Sequence, residues 1–338
     1  MIITPPTPAT GEPRNGENHS APSPSVDPAS ANRRPDDISP VRQRPAAEIA
    51  ATGSTRMKFG IGLPISDPES LSEWALRAEN GPFGTLGLLD RLVYDNPEPL
   101  VTLAHLAGVT ERIRLQTEVL VAPLREPALL AKQVATLDRL SGGRLTLGLG
   151  VGGRADDHEA SGTELRTRGK RLDAQIAAMQ RLWAGEPYSE SCAAIGPLPI
   201  TAGGPELLFG GFQPAALERV ARWGGGLLAA APPAWAPQLF ETVRRFWAQY
   251  ERPGSPRIVA QVNAALGPQE VVDDARAAVS AYYAFTDRAT HMVDGMLTDT
   301  QQIRTVAQQF ADLGVDEVIF YCYGRDPEQV DRLADILD

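Results

Sequence analysis

Cysteine is nearly absent from this 338-residue chain: Cys192 and Cys322 exclude a disulfide framework, give too few thiolates for a zinc site and fit a reducing compartment. No uninterrupted apolar run is long enough to span a bilayer, and the start lacks the charged-then-apolar secretory pattern. A soluble, cytoplasmic protein is therefore expected, in which the sequon Asn18-His19-Ser20 carries little meaning. The formal net charge of -10 argues against nucleic acid or an anionic membrane as a partner. Large apolar residues are scarce in Met1–Arg56 after Ile3, where Pro, Ala, Ser, Asn and Arg dominate, so a disordered extension is expected over 1–56. Whether translation instead begins at Met57 stays open.

The folded domain is expected over 57–338 and is organised around Arg112–Gly153. There, two strand-like runs, Ile113–Val121 and Leu145–Val151, flank a segment whose Leu129, Leu130, Val134, Leu137 and Leu140 recur at helical spacing. A helix crossover between short apolar strands implies that they lie parallel and adjacent. The unit repeats. Further strands are expected at Lys58–Leu63, Thr85–Leu89, Glu206–Gly210, Leu227–Ala231, Arg257–Leu266 and Asp316–Cys322, with a small hairpin within Glu186–Pro205. Helices are expected between them, one opening at Pro97, one at Pro214, and one over Thr298–Leu313 capped by a threonine. Eight strands alternating with eight helices define an α/β fold of the (β/α)8 TIM-barrel type.

Such a barrel carries its active site at the carboxyl ends of its strands. That rule nominates Asp90 and Arg91 after the second strand, and Thr117 and Glu118 within the third. Gly150, Gly152 and Gly153 follow the fourth strand with Asp156-Asp157-His158-Glu159, and Gly210, Gly211, Phe212 and Gln213 follow the fifth. Asp90 and Arg91 read equally as an ion pair at a loop start. Glu118 has little room to point outward among Leu115, Val119 and Val121, and a bulge would turn it toward the barrel mouth. Gly148–Gly153 satisfies GxGxxG, but on a fourth strand, with a basic helix where an acidic residue belongs, it is not a dinucleotide fingerprint. Its small residues are expected to keep the mouth open to a flat ligand. The acidic run reads as a solvated loop, and no metal is expected. Glycines at 210 and 211 before a helix that starts at Pro214 expose amides suited to a phosphate; a tight strand–helix turn is the plain alternative. Lys58 begins a strand and Lys132 and Lys170 lie on helices, which disfavours Schiff-base chemistry.

Three segments, LLDRLVYDNPEPLVTLAHLAGVTERIRLQTEVLVAPLREPALLAKQVATLDRLSGGRLTLGLGVGG, RGKRLDAQIAAMQRLWAGE and FGGFQPAALERVARWGGG, closely resemble the bacterial luciferase-like superfamily of flavin-dependent oxidoreductases. The resemblance implies reduced FMN, or the deazaflavin F420, bound across the strand ends. It implies a ring leaning on a third-strand bulge with a non-prolyl cis peptide at Glu118–Val119. Thr117, Glu118, Val119, Gly150, Gly152, Gly153, Gly210, Gly211, Phe212 and Gln213 would hold the cofactor, and Asp90, Arg91 and His158 would orient substrate or move a proton. Many relatives have a small residue where this chain has Glu118. The usual Asp-Gly after the fifth helix is replaced by Gly225-Gly226, the luciferase reactive cysteine by Gly150, and the paired histidines after strand two by Arg91 and Leu92. Light emission is therefore not expected. The implied activity is oxygenation of a small organic substrate with O2 and reduced FMN from a separate flavin reductase. The alternatives are F420-dependent hydride transfer and a non-catalytic flavin-binding barrel. A homodimer is implied by analogy, and substrate choice falls to Arg154–Thr167, Glu186–Pro205 and Thr286–Leu297.

Overall fold

The computed structural model describes residues 56–337 apart from 65 and 66, so 1–55 of the expected extension lie outside the described residues. Eight parallel strands follow in chain order. They are β1 (Lys58–Gly62), β2 (Thr85–Leu88), β3 (Arg114–Thr117, resuming at Leu120–Val121) and β4 (Leu145–Gly150). The second half comprises β5 (Glu206–Gly210), β6 (Gly226–Ala229), β7 (Arg257–Ala264) and β8 (Glu317–Cys322). Each pairs with its sequence neighbour, β8 pairs with β1, and β3 pairs with β4, so the sheet closes on itself. The expected barrel is what the chain forms, and the excursion after β4 carries the small hairpin, Pro187–Ser189 against Cys192–Ala194.

The strands are buried on both faces. Outward residues such as Leu86, Leu115, Leu147 and Phe209 pack beneath helices that supply Trp74, Leu103, Val134, Ile176 and Phe240. Leu129 and Leu140, which the helical spacing assigns to the core, are exposed instead; Leu130, Val134 and Leu137 form the buried stripe of helix Pro127–Leu140. The second helix starts at Pro99 rather than Pro97, because the Glu98 carboxylate accepts the Val101 amide at 2.8 Å and so fixes the first turn. Likewise Asp299, not a threonine, caps Thr300–Asp312, while Gln302 reaches back to the Thr298 amide in a reciprocal box.

At the amino-terminal end of the barrel, Arg257 from β7 joins Glu206 of β5 and Glu317 of β8, each at 2.5 Å. The LDRLSGGR stretch works at this end too. Asp138 accepts the Thr201 amide and hydroxyl at 2.8 and 2.9 Å, and Arg144 binds four oxygens around the end of helix Pro99–Val109. These are staples far from the rim where ligands bind.

Glycine sets how closely the strands approach. A Cβ on Gly148 would run into the Thr117 carbonyl oxygen, which is backbone and cannot yield. Gly148→Ala is expected to lower stability by roughly 3 kcal/mol, the upper end of overpacking costs. Gly108, on helix Pro99–Val109, faces open space, and Gly108→Ala should raise stability by about 0.5–1 kcal/mol. Urea unfolding midpoints check both, and equal midpoints for the two variants would contradict the packing described.

Candidate active site

The third strand is broken where the site begins. The peptide Glu118–Val119 is cis, at the position the family resemblance assigns, and it sends the two side chains to different places. Val119 seats against β4 and β5: a Cβ on Gly150 or Gly210 would collide with its methyl groups. These glycines therefore make room for a side chain of the protein itself, which corrects the expectation that Gly150 simply leaves the mouth open. Gly152, with φ +68°, backs onto Val121, while Gly153 faces free space.

Glu118 turns into the barrel. Its carboxylate accepts from Gln116 of β3 and from Gln261 of β7, and strands three and seven lie on opposite walls, so the contact crosses the interior. A Cβ on Gly87 would strike this carboxylate, and one on Gly62 would strike the Tyr321 ring. Glycine on β1 and β2 thus leaves the volume that Glu118 and Tyr321 fill. Burial pushes the Glu118 carboxyl up to about 7, against the opposing pull of the two glutamine amides. Tyr321 is likewise raised, first by burial and then by the neighbouring Glu118 charge.

Asp90 is fully engaged. Its Oδ2 accepts the Val121 amide at 2.7 Å and Arg125 Nη1 at 2.6 Å, and Oδ1 accepts Arg125 Nη2 at 3.1 Å. It therefore pins the chain just beyond the bulge. Arg91 sits beside Asp157, whose Oδ1 accepts the Leu92 and Val93 amides at 3.2 and 2.7 Å. His158 uses both nitrogens. Nε2 faces the Val151 carbonyl at 3.2 Å, which can only accept, so Nε2 carries the proton and Nδ1 takes the Thr163 hydroxyl proton at 2.9 Å. Asp156 pairs with Arg154, so the acidic run splits among separate partners. On β5, Gly211 has φ +155° and a Cβ there would meet Ala216; Phe212 and Gln213 are exposed, and the helix opens at Pro214 with no side-chain cap on its first amides.

All the nominated residues lie at one rim, but they divide. Thr117 is buried with its hydroxyl on the Gly148 carbonyl at 2.7 Å, Asp90 and His158 spend their polar atoms on other residues of the chain, and Gly153, Phe212 and Gln213 are exposed. Missing from the sequence reading are Gln116, Gln261, Tyr321, Tyr323 and Arg125. A partial signal existed: Gln261 interrupts the apolar run Ile258–Val262, whereas Gln116 stands in the mixed run Arg114–Thr117 and has no such mark.

The site thus combines a closed parallel barrel with a broken third strand and a glycine turn on the fifth, both at the carboxyl rim. Residues 46–335 match the luciferase-like monooxygenase family, and the chain belongs to it. It is 36% identical over 206 residues to an uncharacterized protein of Mycobacterium bovis, covering 59% of this chain and 68% of that one. It is also 36% identical over 92 residues to the oxygenase component of the flavin-dependent trigonelline monooxygenase of Acinetobacter baylyi, covering 27% and 26%. The fold is similar to that of the monooxygenase RslO1 of Streptomyces bottropensis (TM-score 0.68, 21% identity, 83% of this chain and 97% of that one). It is equally similar to that of an F420-dependent secondary alcohol dehydrogenase (0.69, 15%, 83% and 98%).

Two outcomes test this geometry. The folded carboxyl of Glu118 binds its proton more tightly than the ordinary 4.5, so below pH 4.5 nothing is lost, between 4.5 and 7 stability falls, and above 7 the full penalty applies. That penalty is on the order of 3 kcal/mol. Glu118→Gln should therefore match the parent near pH 4.5 and be the more stable protein at pH 8, as urea titrations at the two pH values will show. Asp90→Ala should cost about 3–5 kcal/mol, since it strands a buried arginine and the Val121 amide. A fully stable but inactive Asp90→Ala would instead mark Asp90 as chemical.

Proposed function

We propose that this chain is the oxygenase component of a two-component system: it takes reduced FMN from a separate reductase and O2, and oxygenates a small organic substrate. The observation that carries the reading is the shared rim. The turn Gly210–Gln213, leading into helix Pro214–Trp223, and the bulge at Glu118–Val119 stand at the same end of the two strands that flank β4. Uncapped amides at a helix start suit a phosphate, and a flat backbone step suits the face of a planar ring. The residues fit such a group, with Gly211, Phe212 and Gln213 at its phosphate and Glu118, Val119 and Gly153 toward its ring. When bound, it supplies the two electrons that reduce one oxygen atom of O2 to water while the other enters the substrate.

The chain's own residues do the rest. Asp90 and Arg125 hold the bulge in place through Val121. The buried Glu118, near neutral pH in its titration, holds a proton at the floor of the mouth and releases it without large cost. Tyr321 and Tyr323 keep that floor apolar and exclude water. Similarity to the trigonelline monooxygenase component supports the need for an external reductase. F420-dependent hydride transfer uses the same rim and is the second reading.

Anaerobic titration of the protein with reduced FMN, riboflavin and F420 separates these. Reduced FMN should bind at least about ten-fold more tightly than either, since riboflavin lacks the phosphate that the Gly211 turn accepts. Tighter binding of F420 transfers the assignment to the second reading, and no binding of any of the three overturns the cofactor site.

A further inference from the structure

Arg91 carries donors that the chain leaves unused. Its side chain is 6% exposed, and Nη2 donates to the Val93 carbonyl at 3.0 Å. Nη1 and Nε have no hydrogen-bond partner among the described residues, for Asp157 Oδ2 stands 3.6 Å from Nε, too far for a hydrogen bond. The guanidinium is instead surrounded by rings: Tyr94 at 4.7 Å, Tyr282 at 5.3 Å and Phe285 at 5.5 Å. Buried donors are normally satisfied, and a half-exposed phenyl group does not satisfy them.

Phe285 is the movable member of this cage. It is 49% exposed, lies between Arg91 and Arg154, 4.1 Å from the latter, and falls just after helix Gln269–Tyr283. Behind it the aromatic surface continues from Tyr94 to Tyr282 (5.6 Å), Tyr282 to Tyr323 (6.3 Å) and Tyr323 to Tyr321 (6.1 Å), from the rim to the layer that holds Glu118.

We infer that this wall is the substrate subsite for a planar aromatic carboxylate, whose ring takes the place of Phe285 along the tyrosines and whose carboxylate accepts from Nη1 of Arg91. The inference deepens the proposed function and rests on its reading of the rim. A buried guanidinium donor without a partner favours a charged acceptor, because a charge-assisted hydrogen bond is roughly twice as strong as a neutral one. Asp157 makes no hydrogen bond to Arg91: its Oδ1 takes two backbone amides and its Oδ2 stays 3.6 Å from Nε. The wall is built from the loop after β2, the helix Gln269–Tyr283 that follows β7, and the end of β8, whereas the glycine turn follows β5, so one flat ligand at each place leaves the two side by side.

Benzoate and benzamide are the probes, titrated calorimetrically into cofactor-free full-length protein, with FMN and F420 titrated separately. Benzoate should bind at least ten-fold more tightly than benzamide, Arg91→Met should abolish that preference while leaving cofactor affinity unchanged, and Phe285→Ala should tighten benzoate binding. If Arg91→Met does not fold, Arg91→Met/Asp157→Asn removes both buried charges and is read in the same way. Equal binding of the two probes, binding of neither, or a preference that survives loss of Arg91 overturns the inference. So does an Arg91→Met variant that loses cofactor affinity, since the guanidinium would then serve the cofactor. Failure of FMN and F420 to bind would sink the proposed function while the benzoate comparison still reads out.

Discussion

Val119 lies between two glycines, and the upper half of the barrel depends on that seat. In-and-out alternation along β3 already sends Gln116 and Glu118 inward, where they meet. What the break adds is Val119, which turns in beside them and fills the room that Gly150 and Gly210 leave. Asp90 with Arg125 then catches the chain again at Val121. A steric vacancy on two strands thus admits one more side chain from a third.

Polar groups inside the barrel occur at both ends, and they are of different kinds. At the amino-terminal end, Arg257 balances Glu206 and Glu317 in direct ion pairs, so opposite charges meet and need no proton to be stable. In the layer below the mouth, the acid meets only glutamine amides and a tyrosine, and its charge has no cationic partner among the residues that contact it. Burial without a counter-charge is what lifts a carboxyl toward neutrality, as the contrast between these layers illustrates. Structure and chemistry are separated along one axis by the choice of glutamine over arginine.

The alternation of apolar strand and amphipathic helix made the barrel legible, because closure needs only eight repeats of a local pattern. Helix starts were less legible. Glu98 and Asp299 cap through their side chains, and proline or threonine nearby drew the boundary a residue or two away. At the rim, the resemblance located the cis peptide and the glycine turn, but no local pattern reports that Asp90 is closed off by Arg125, thirty-five residues on. Gly150, read as space for a ligand, is space for Val119. A missing Cβ states that something is close, not what.

The same reasoning assigns the two sides of the mouth. The β3–β5 side presents backbone: a flat peptide step, exposed glycine and an uncapped helix start, all of which recognise shape and phosphate and tolerate little side-chain chemistry. The β7–β8–β2 side presents side chains, tyrosine rings and one guanidinium with spare donors. Backbone recognition suits a group that must be the same in every turnover. Side-chain recognition can be retuned one residue at a time, and it is there that a family sharing one barrel distinguishes its substrates. Arg91 stands on that side, and its unused donors belong to a side chain, not to the backbone that builds the barrel.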